Sequence, residues 1–333
     1  MLKILVTGGL GFIGSNYIIQ TLKDHPNYEI INIDKLGTGA NPENLKDLKN
    51  EDRYHFIKAD ISNPQALEGI LEGCGAVINF AAETHVDRSI SDPNPFIESN
   101  YLGTFNLLEA ERKMDRKIRH IQISTDEVYG DITQGSFKEE DRLNPSNPYS
   151  ASKAAADMLC QAYHRTYGLE TIITRCTNNF GPNQFPEKLI PKTIIRAKKD
   201  LAIPVYGTGE NIRDWIYVQD HCEAIDLTLR KGKPGEIYNI SSGNELSVKT
   251  IVEKILDTLD KPRELITHVE DRPGHDTRYS LDSSKIKNEL GWEPKHSFDS
   301  ALNNTITWYL KNEWWWKPMI NDKTLHPTPW KLK

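Results

Sequence analysis

The sequence predicts an α/β fold, with a doubly wound parallel sheet over residues 1–177 and a smaller, loop-rich α/β domain over 178–333. Three observations carry that expectation. Short apolar, β-branched runs alternate with helical patterns through the first half, the rhythm of parallel strands joined by helical crossovers. A glycine-spaced turn separates the first run from the first helical pattern. Beyond Thr177 the rhythm breaks, with Pro and Gly recurring at Gly181-Pro182, Pro204, Gly207, Gly209, Pro234-Gly235 and Pro273-Gly274.

The strand-like runs cover residues 4–7, 29–33, 54–58, 76–81, 119–124 and 170–176. They are not alternating in polarity, which suits strands covered on both faces. Helical patterns occupy 12–22, 65–71, 95–112 and 150–167. The second half has one plain amphipathic helix, with Ser247 as cap and Val248, Ile251, Val252, Ile255, Leu256 and Leu259 at helical spacing. Some segments of this half are expected to return to the first domain. Trp308 and Trp314-Trp315-Trp316 read as packing anchors for a terminal helix.

The 333 residues, 38% of them hydrophobic, suffice for two cores and are too apolar for a disordered chain. Lys+Arg 41 against Asp+Glu 47 leaves a net charge of −6, which argues against nucleic acid or an anionic membrane surface as main partner. No apolar run approaches the ~18 residues of a membrane span. The chain runs straight into a strand-like segment without a secretory signal, so the expected location is the cytoplasm. Cys74, Cys160, Cys176 and Cys222 lie far apart and read as core residues or edge thiols, so neither disulfides nor a metal site is expected.

Gly8, Gly11 and Gly14 give the G-x-x-G-x-x-G spacing between the first strand and first helix. Such a turn needs positive φ, lets backbone approach a pyrophosphate, and packs the helix close on the strand. The pyrophosphate then rests on the amide-rich helix end. Twenty residues past Gly14, Asp34 closes the second strand, where a carboxylate accepts both ribose hydroxyls of NAD and repels a 2′-phosphate. Asp60-Ile61 and Ala81-Ala82 fall at the ends of the third and fourth runs, as an adenine pocket and a close backbone approach would require. Together they predict a Rossmann-type site for NAD.

Tyr149 and Lys153 stand at i, i+4 on one helix face. With 13 Tyr and 27 Lys, about one such pair is expected by chance, and the sequence holds a second, Tyr54/Lys58, on a strand pattern. Position therefore decides, and only Tyr149/Lys153 follows the fifth strand. A lysine beside a phenol should lower its pKa and make Tyr149 a base for a hydroxyl proton. The fifth strand ends in Thr125-Asp126-Glu127. Adjacent acids at the carboxyl edge of a sheet suit a dehydration, in which one carboxyl protonates a leaving hydroxyl and the other removes a carbon-bound proton.

These residues resemble the sugar-nucleotide-modifying branch of the extended short-chain dehydrogenases/reductases, and Thr125-Asp126-Glu127 narrows the resemblance to the dTDP-glucose 4,6-dehydratase family. It covers nearly the whole chain, through segments such as 81–89, 125–130, 178–191 and 271–276. Departures are slight, with Leu10, Thr84 and Phe180 where alanine, serine and tyrosine are common. The resemblance implies that Tyr149 takes the 4-hydroxyl proton as C4 hydride moves to NAD. Glu127 then removes the C5 proton, Asp126 protonates the departing 6-hydroxyl, and hydride returns to C6. Thr125 would bond the 4-oxygen or Tyr149, and Lys153 the nicotinamide ribose.

The resemblance also completes an NAD set of Gly8, Gly11, Phe12, Ile13, Gly14, Asp34, Lys35, Asp60, Ile61, Ala81, Ala82, Ser99, Tyr149, Lys153 and Asn179. It makes the smaller domain the substrate-binding one, with Thr84, Thr125, Asn178, Lys188, Leu189, Pro204, Tyr206, Arg213, Asn244, Arg272 and His275 holding dTDP-glucose. Arg213 and Arg272 suit the diphosphate, since guanidinium forks match phosphate oxygens. A homodimer is implied, joined by a four-helix bundle of helices 95–112 and 150–167. The competing readings are a UDP-sugar 4-epimerase or UDP-glucuronate decarboxylase on the same scaffold, which need no acid pair, and a non-catalytic NAD-binding regulator.

Overall fold

Residues 1–332 are described by the computed structural model. In chain order the strands are β1 (Leu2–Thr7), β2 (Tyr28–Asp34), β3 (Tyr54–Lys58), β4 (Ala76–Asn79), β5 (Arg119–Thr125), β6 (Glu170–Cys176), β7 (Asn178–Phe180), β8 (Ile203–Tyr206), β9 (Ile212–Tyr217), β10 (Ile237–Ile240), β11 (Glu245–Ser247) and β12 (Ile266–Val269). Seven of them form one parallel sheet in the order β10-β6-β5-β4-β1-β2-β3. The strand order turns back between β1 and β4, and in such sheets ligands bind in the crevice outside the carboxyl ends at that point.

Both faces of this sheet are covered, which is why its strands read as unbroken apolar runs. Ile4 and Val6 of β1 pack with Tyr17 and Ile18 of the helix Phe12–Asp24 and with Ile225 of the helix Val218–Lys231. Leu5, pointing the other way, packs with Val77 and with Leu107 of the helix Gly103–Arg112. β3 departs from the expectation of two covered faces. It is the sheet's edge, and its Phe56 and Ile57 are exposed.

Three further expectations need correction. Residues 65–71 do not form a helix; a single 3₁₀ turn, Pro64–Leu67, stops before Gly69 at φ +72°. The run predicted over 76–81 leaves the sheet after Asn79. The helix over 95–112 contains a π segment, Ile97–Leu102, before its regular part. Within it Ser99 lines the cleft, while Asn100 is buried against the Glu83 backbone and the Ser152 hydroxyl, and π segments often lie at functional sites. Ser99 Oγ accepts from Lys35 Nζ at 2.7 Å, while Asn100 accepts from Glu83 N at 2.8 Å. The helix placed over 150–167 begins at Pro148, where Asn147 and Ser150 form a reciprocal cap.

In the second half β7, β9 and β11 make a small sheet and β8 pairs with β12. Ser247 caps the helix Val248–Thr258 by accepting from Thr250 N, and Ile251 and Ile255 enter a core with Phe180, Ile194, Trp215, Phe298 and Tyr309. Trp316 joins that core and donates to Tyr309 O at 2.8 Å. Trp315 donates to Asn44 Oδ1 at 2.7 Å, tying the terminal helices to the first half, whereas Trp314 is exposed. β10 lies on the outer edge of β6, so the chain re-enters the large sheet. Among the described residues no helix is long and apolar enough to cross a membrane.

Candidate active site

The turn after β1 shapes the floor of the main cleft. Gly8 has φ +67°, and a Cβ there would lie 2.7 Å from Ala81 Cα, so the crossing at the β1–β4 switch point admits no larger residue. A Cβ on Gly14 would lie 2.7 Å from Gly8 O, which brings the helix close against the turn. The helix that follows, Phe12–Asp24, has no side-chain cap, and Gly11, Phe12, Ile13 and Gly14 line the cleft. An uncapped amide-rich helix end beside a glycine turn fits a pyrophosphate. Asp34 sits where β2 ends, accepting from Leu10 N at 3.1 Å and Leu36 N at 2.8 Å, and burial pushes its carboxyl up.

All the candidate cofactor residues line this one cleft: besides those named, Lys35, Asp60, Ile61, Ala81, Ala82, Ser99, Tyr149, Lys153 and Asn179. These residues fit a dinucleotide. Thr125, Asp126 and Glu127 line the same cleft, with Thr84, Asn178 and Lys188 from the candidate substrate set.

Thr125 caps the turn that displays the two acids. Its hydroxyl donates to Asp126 Oδ1 at 3.0 Å and accepts from Glu127 N at 3.3 Å. Burial first, and the Glu127 carboxylate second, push the Asp126 carboxyl up to about 8, so it holds its proton at neutral pH. Glu127 is raised too, chiefly by burial, but Arg272, Arg213 and Lys188 pull it back. The cations favour the charged form of Glu127, while the neighbouring carboxylate disfavours that of Asp126, the pattern of a base beside a proton donor. Asp126 Oδ2, Ser124 Oγ and Thr177 Oγ1 are buried without a protein partner in the cleft wall, as a polar ligand would require.

Tyr149 differs from expectation. Burial, with Glu127 next, drives its phenol well above the ordinary range; a Thr125 hydrogen bond opposes this. Lys153 Nζ donates to Ile123 O at 2.5 Å, and burial lowers its own pKa. Burial of the phenol therefore governs its pKa, a property that the i, i+4 spacing does not reveal.

The remaining candidate substrate residues, Leu189, Pro204, Tyr206, Arg213, Asn244, Arg272 and His275, lie outside the lining of this cleft. Arg213 gives its guanidinium to the carbonyls of Ile212 and Asp276 and lies 4.1 Å over the Tyr279 ring. His275 bonds Asp271 at 2.6 Å and, largely through burial, falls to about 4. Asn244 donates to Ser242 Oγ at 2.9 Å. Leu189 packs against the second-half core beside Ile190, and Pro204 sits in β8 beside Tyr206. Arg272 and Tyr206 both bond Asp87.

Several cleft residues escaped the sequence reading. Arg88 reaches Glu83 at 3.1 Å and Glu187 at 3.4 Å, and Lys35 lies 3.8 Å from Glu83. This chain of charges spans the cleft from Lys35 to Glu187. Its middle members, Glu83 and Arg88, stand inside the segment 81–89 that carries the resemblance, which was the available signal. Cys176 also lines the cleft, as a buried thiol whose pKa burial raises.

A doubly wound sheet with a tyrosine–lysine helix face over its carboxyl edge is the architecture of the extended short-chain dehydrogenases/reductases. The chain belongs to the GDP-mannose 4,6 dehydratase family, whose sequence model matches residues 5–305. A dTDP-glucose 4,6-dehydratase of Escherichia coli is 47% identical over 96% of this chain and 97% of its own. The crystal structure of a dTDP-glucose 4,6-dehydratase from Streptomyces venezuelae with NAD bound is similar at TM-score 0.93 and 44% identity, covering 96% of this chain and 100% of that one. A UDP-glucose 4-epimerase of Thermotoga maritima, solved with UDP-glucose, has TM-score 0.86 at 29% identity, covering 94% and 100% respectively.

Proposed function

We propose that this protein is an NAD-dependent dTDP-glucose 4,6-dehydratase, converting dTDP-glucose to dTDP-4-keto-6-deoxyglucose and water. The observation that carries the reading is the adjacent pair Asp126 and Glu127 in the cleft that also contains Tyr149, with Asp126 raised to about 8 and Glu127 facing three cations. An epimerase has no use for a proton donor and a carbon base side by side, and the stronger likeness to dehydratases supports the same choice.

NAD, when bound, supplies the transient oxidation at C4 and the reduction at C6. Gly8, Gly11, Phe12, Ile13 and Gly14 would hold its pyrophosphate, Asp34 and Lys35 a ribose, Asp60 and Ile61 the adenine. Ala81, Ala82, Ser99, Lys153 and Asn179 complete the site. Tyr149 is assigned the 4-hydroxyl proton, a role open only to its phenolate. Charge brought by cofactor and substrate must therefore offset the burial that raises its pKa, and Thr125 holds the 4-oxygen. Glu127 removes the C5 proton once C4 is a ketone. Asp126, protonated at neutral pH, gives its proton to the departing 6-hydroxyl. Arg213, Arg272 and Lys188 supply cations toward the diphosphate, with Asn178, Leu189, Pro204, Tyr206, Asn244 and His275 around the nucleoside and Thr84 near the sugar.

The active form is a homodimer joined by a four-helix bundle. Exposed Ile97, Leu102, Phe105, Met158 and Tyr167 on the helices ending at Arg112 and Tyr167 support that interface. Free, buried cysteines suit the reducing cytoplasm. Mass spectrometry of dTDP-glucose incubated with the purified protein, without added NAD, tests the assignment. Loss of one water with no accumulation of NADH supports it. An unchanged mass that persists after NAD is added overturns it.

A further inference from the structure

Asp87 stands on the short helix Val86–Ser91, which follows β4 in the dinucleotide-binding half. Its carboxylate is buried, yet it serves the other half of the molecule. Oδ1 accepts from Arg272 Nη1 at 2.7 Å and Oδ2 accepts from the Tyr206 hydroxyl at 3.0 Å. His85 Nε2 lies 4.0 Å from Oδ2. One side chain thus fixes two residues from strands and loops far along the sequence.

Arg272 is the more telling partner. Its Nε is buried without a hydrogen-bond partner, and its charge bears on Glu127 together with those of Arg213 and Lys188. Those cations bear together on Glu127, and the unpartnered Nε of Arg272 leaves a donor for a second anion. Asp87 holds one nitrogen of the guanidinium and leaves the remainder of the fork free. A guanidinium anchored at one edge presents its other edge in a fixed plane, as bidentate phosphate recognition requires. The Tyr206 ring is fixed in turn from two sides, by its hydroxyl on Asp87 and by the Trp330 ring, edge-to-face at 4.6 Å.

We propose that Asp87 is a positioning residue that sets Arg272 and Tyr206 for the nucleoside diphosphate of the substrate. The proposal rests on the functional reading above. Among the described residues Asp87 makes its polar contacts with Arg272, Tyr206 and His85, not with the cofactor residues or with Tyr149, Asp126 and Glu127, so its removal should act first on substrate affinity. Without it, Arg272 loses the bond that fixes its plane and Tyr206 loses the partner of its hydroxyl.

The test compares wild type with Asp87→Asn and Asp87→Ala, each as the NAD-containing holoenzyme. Thymidine diphosphate binding is measured by titration calorimetry, and KM and kcat with dTDP-glucose. Asp87→Ala should weaken the diphosphate and raise KM by at least about tenfold, the scale for removing one partner of a buried charged pair. Its kcat at saturation and NAD content should stay near wild type. Asp87→Asn, which keeps an acceptor for Tyr206, should fall between and guards against a folding failure of the alanine variant. Diphosphate affinity within twofold of wild type in Asp87→Asn and Asp87→Ala overturns the proposal, as does a parallel loss of kcat, NAD and thermal stability. A wild type that neither binds the diphosphate nor turns over dTDP-glucose overturns the functional reading instead.

Discussion

The two sets of candidate residues, for dinucleotide and for substrate, are held in place on different principles. On the dinucleotide side, every candidate residue follows the end of a strand or the helix after it, and the parallel sheet brings these ends to one edge. On the substrate side, the candidates come from short strands, loops and the first half of the chain, held by side-chain bonds such as Asp87 to Arg272 across 185 positions. The first arrangement is enforced by backbone pairing and tolerates little change at its turns. The second is enforced by polar side chains, which can be altered singly without disturbing the sheet.

The largest effect should come from the chemistry on the dinucleotide side. Tyr149→Phe or Asp126→Asn should lower kcat by about 10²–10⁴-fold, the range for a lost general acid or base, with thymidine diphosphate affinity unchanged. Steady-state kinetics beside calorimetry checks this, and a matching loss of diphosphate affinity would erase the division between the two sets.

The next effect is a pH dependence. Asp126 is raised to about 8, so its proton is available below that pH and activity should fall as pH rises through it. The stability contribution of this group follows the same sign: the folded state binds this proton more tightly than the unfolded chain, so its contribution is greatest below about 4 and is lost as pH rises through about 8. Asp126→Asn should therefore melt higher than wild type at pH 8, and the gap should close in acid. Melting curves across pH decide it, and an equal gap at both ends would contradict the raised carboxyl.

On the substrate side the effects should be smaller and confined to KM. Trp330→Ala removes one aromatic partner of Tyr206. An aromatic pair is worth about 0.5–1.5 kcal/mol, so KM for dTDP-glucose should rise roughly two- to tenfold with NAD content intact. A fall in kcat without a change in KM would place Trp330 outside the base site.

The same contrast explains what the sequence revealed. Asp34, twenty residues past Gly14 at the close of β2, was legible because strand period and glycine spacing both place it. Thr125-Asp126-Glu127 was legible from its position after β5. The elevated Tyr149 phenol was not, because burial is a property of the assembled cleft rather than of the Tyr149/Lys153 spacing. The π segment that turns both Ser99 and Asn100 inward leaves no periodic mark. Trp330 carries no local signal, and Asp87 only its place in the segment 81–89, since their roles arise from contacts made across the fold.

The central claim is that Tyr149, Asp126 and Glu127 act on one sugar in one cleft. Its most direct test is the mass of the product formed from dTDP-glucose in deuterium oxide. Removal of the C5 proton by Glu127 and its replacement from solvent predict a product lighter by one water and carrying one deuterium at C5. Product formed with no deuterium, or a sugar nucleotide of unchanged mass, would contradict it.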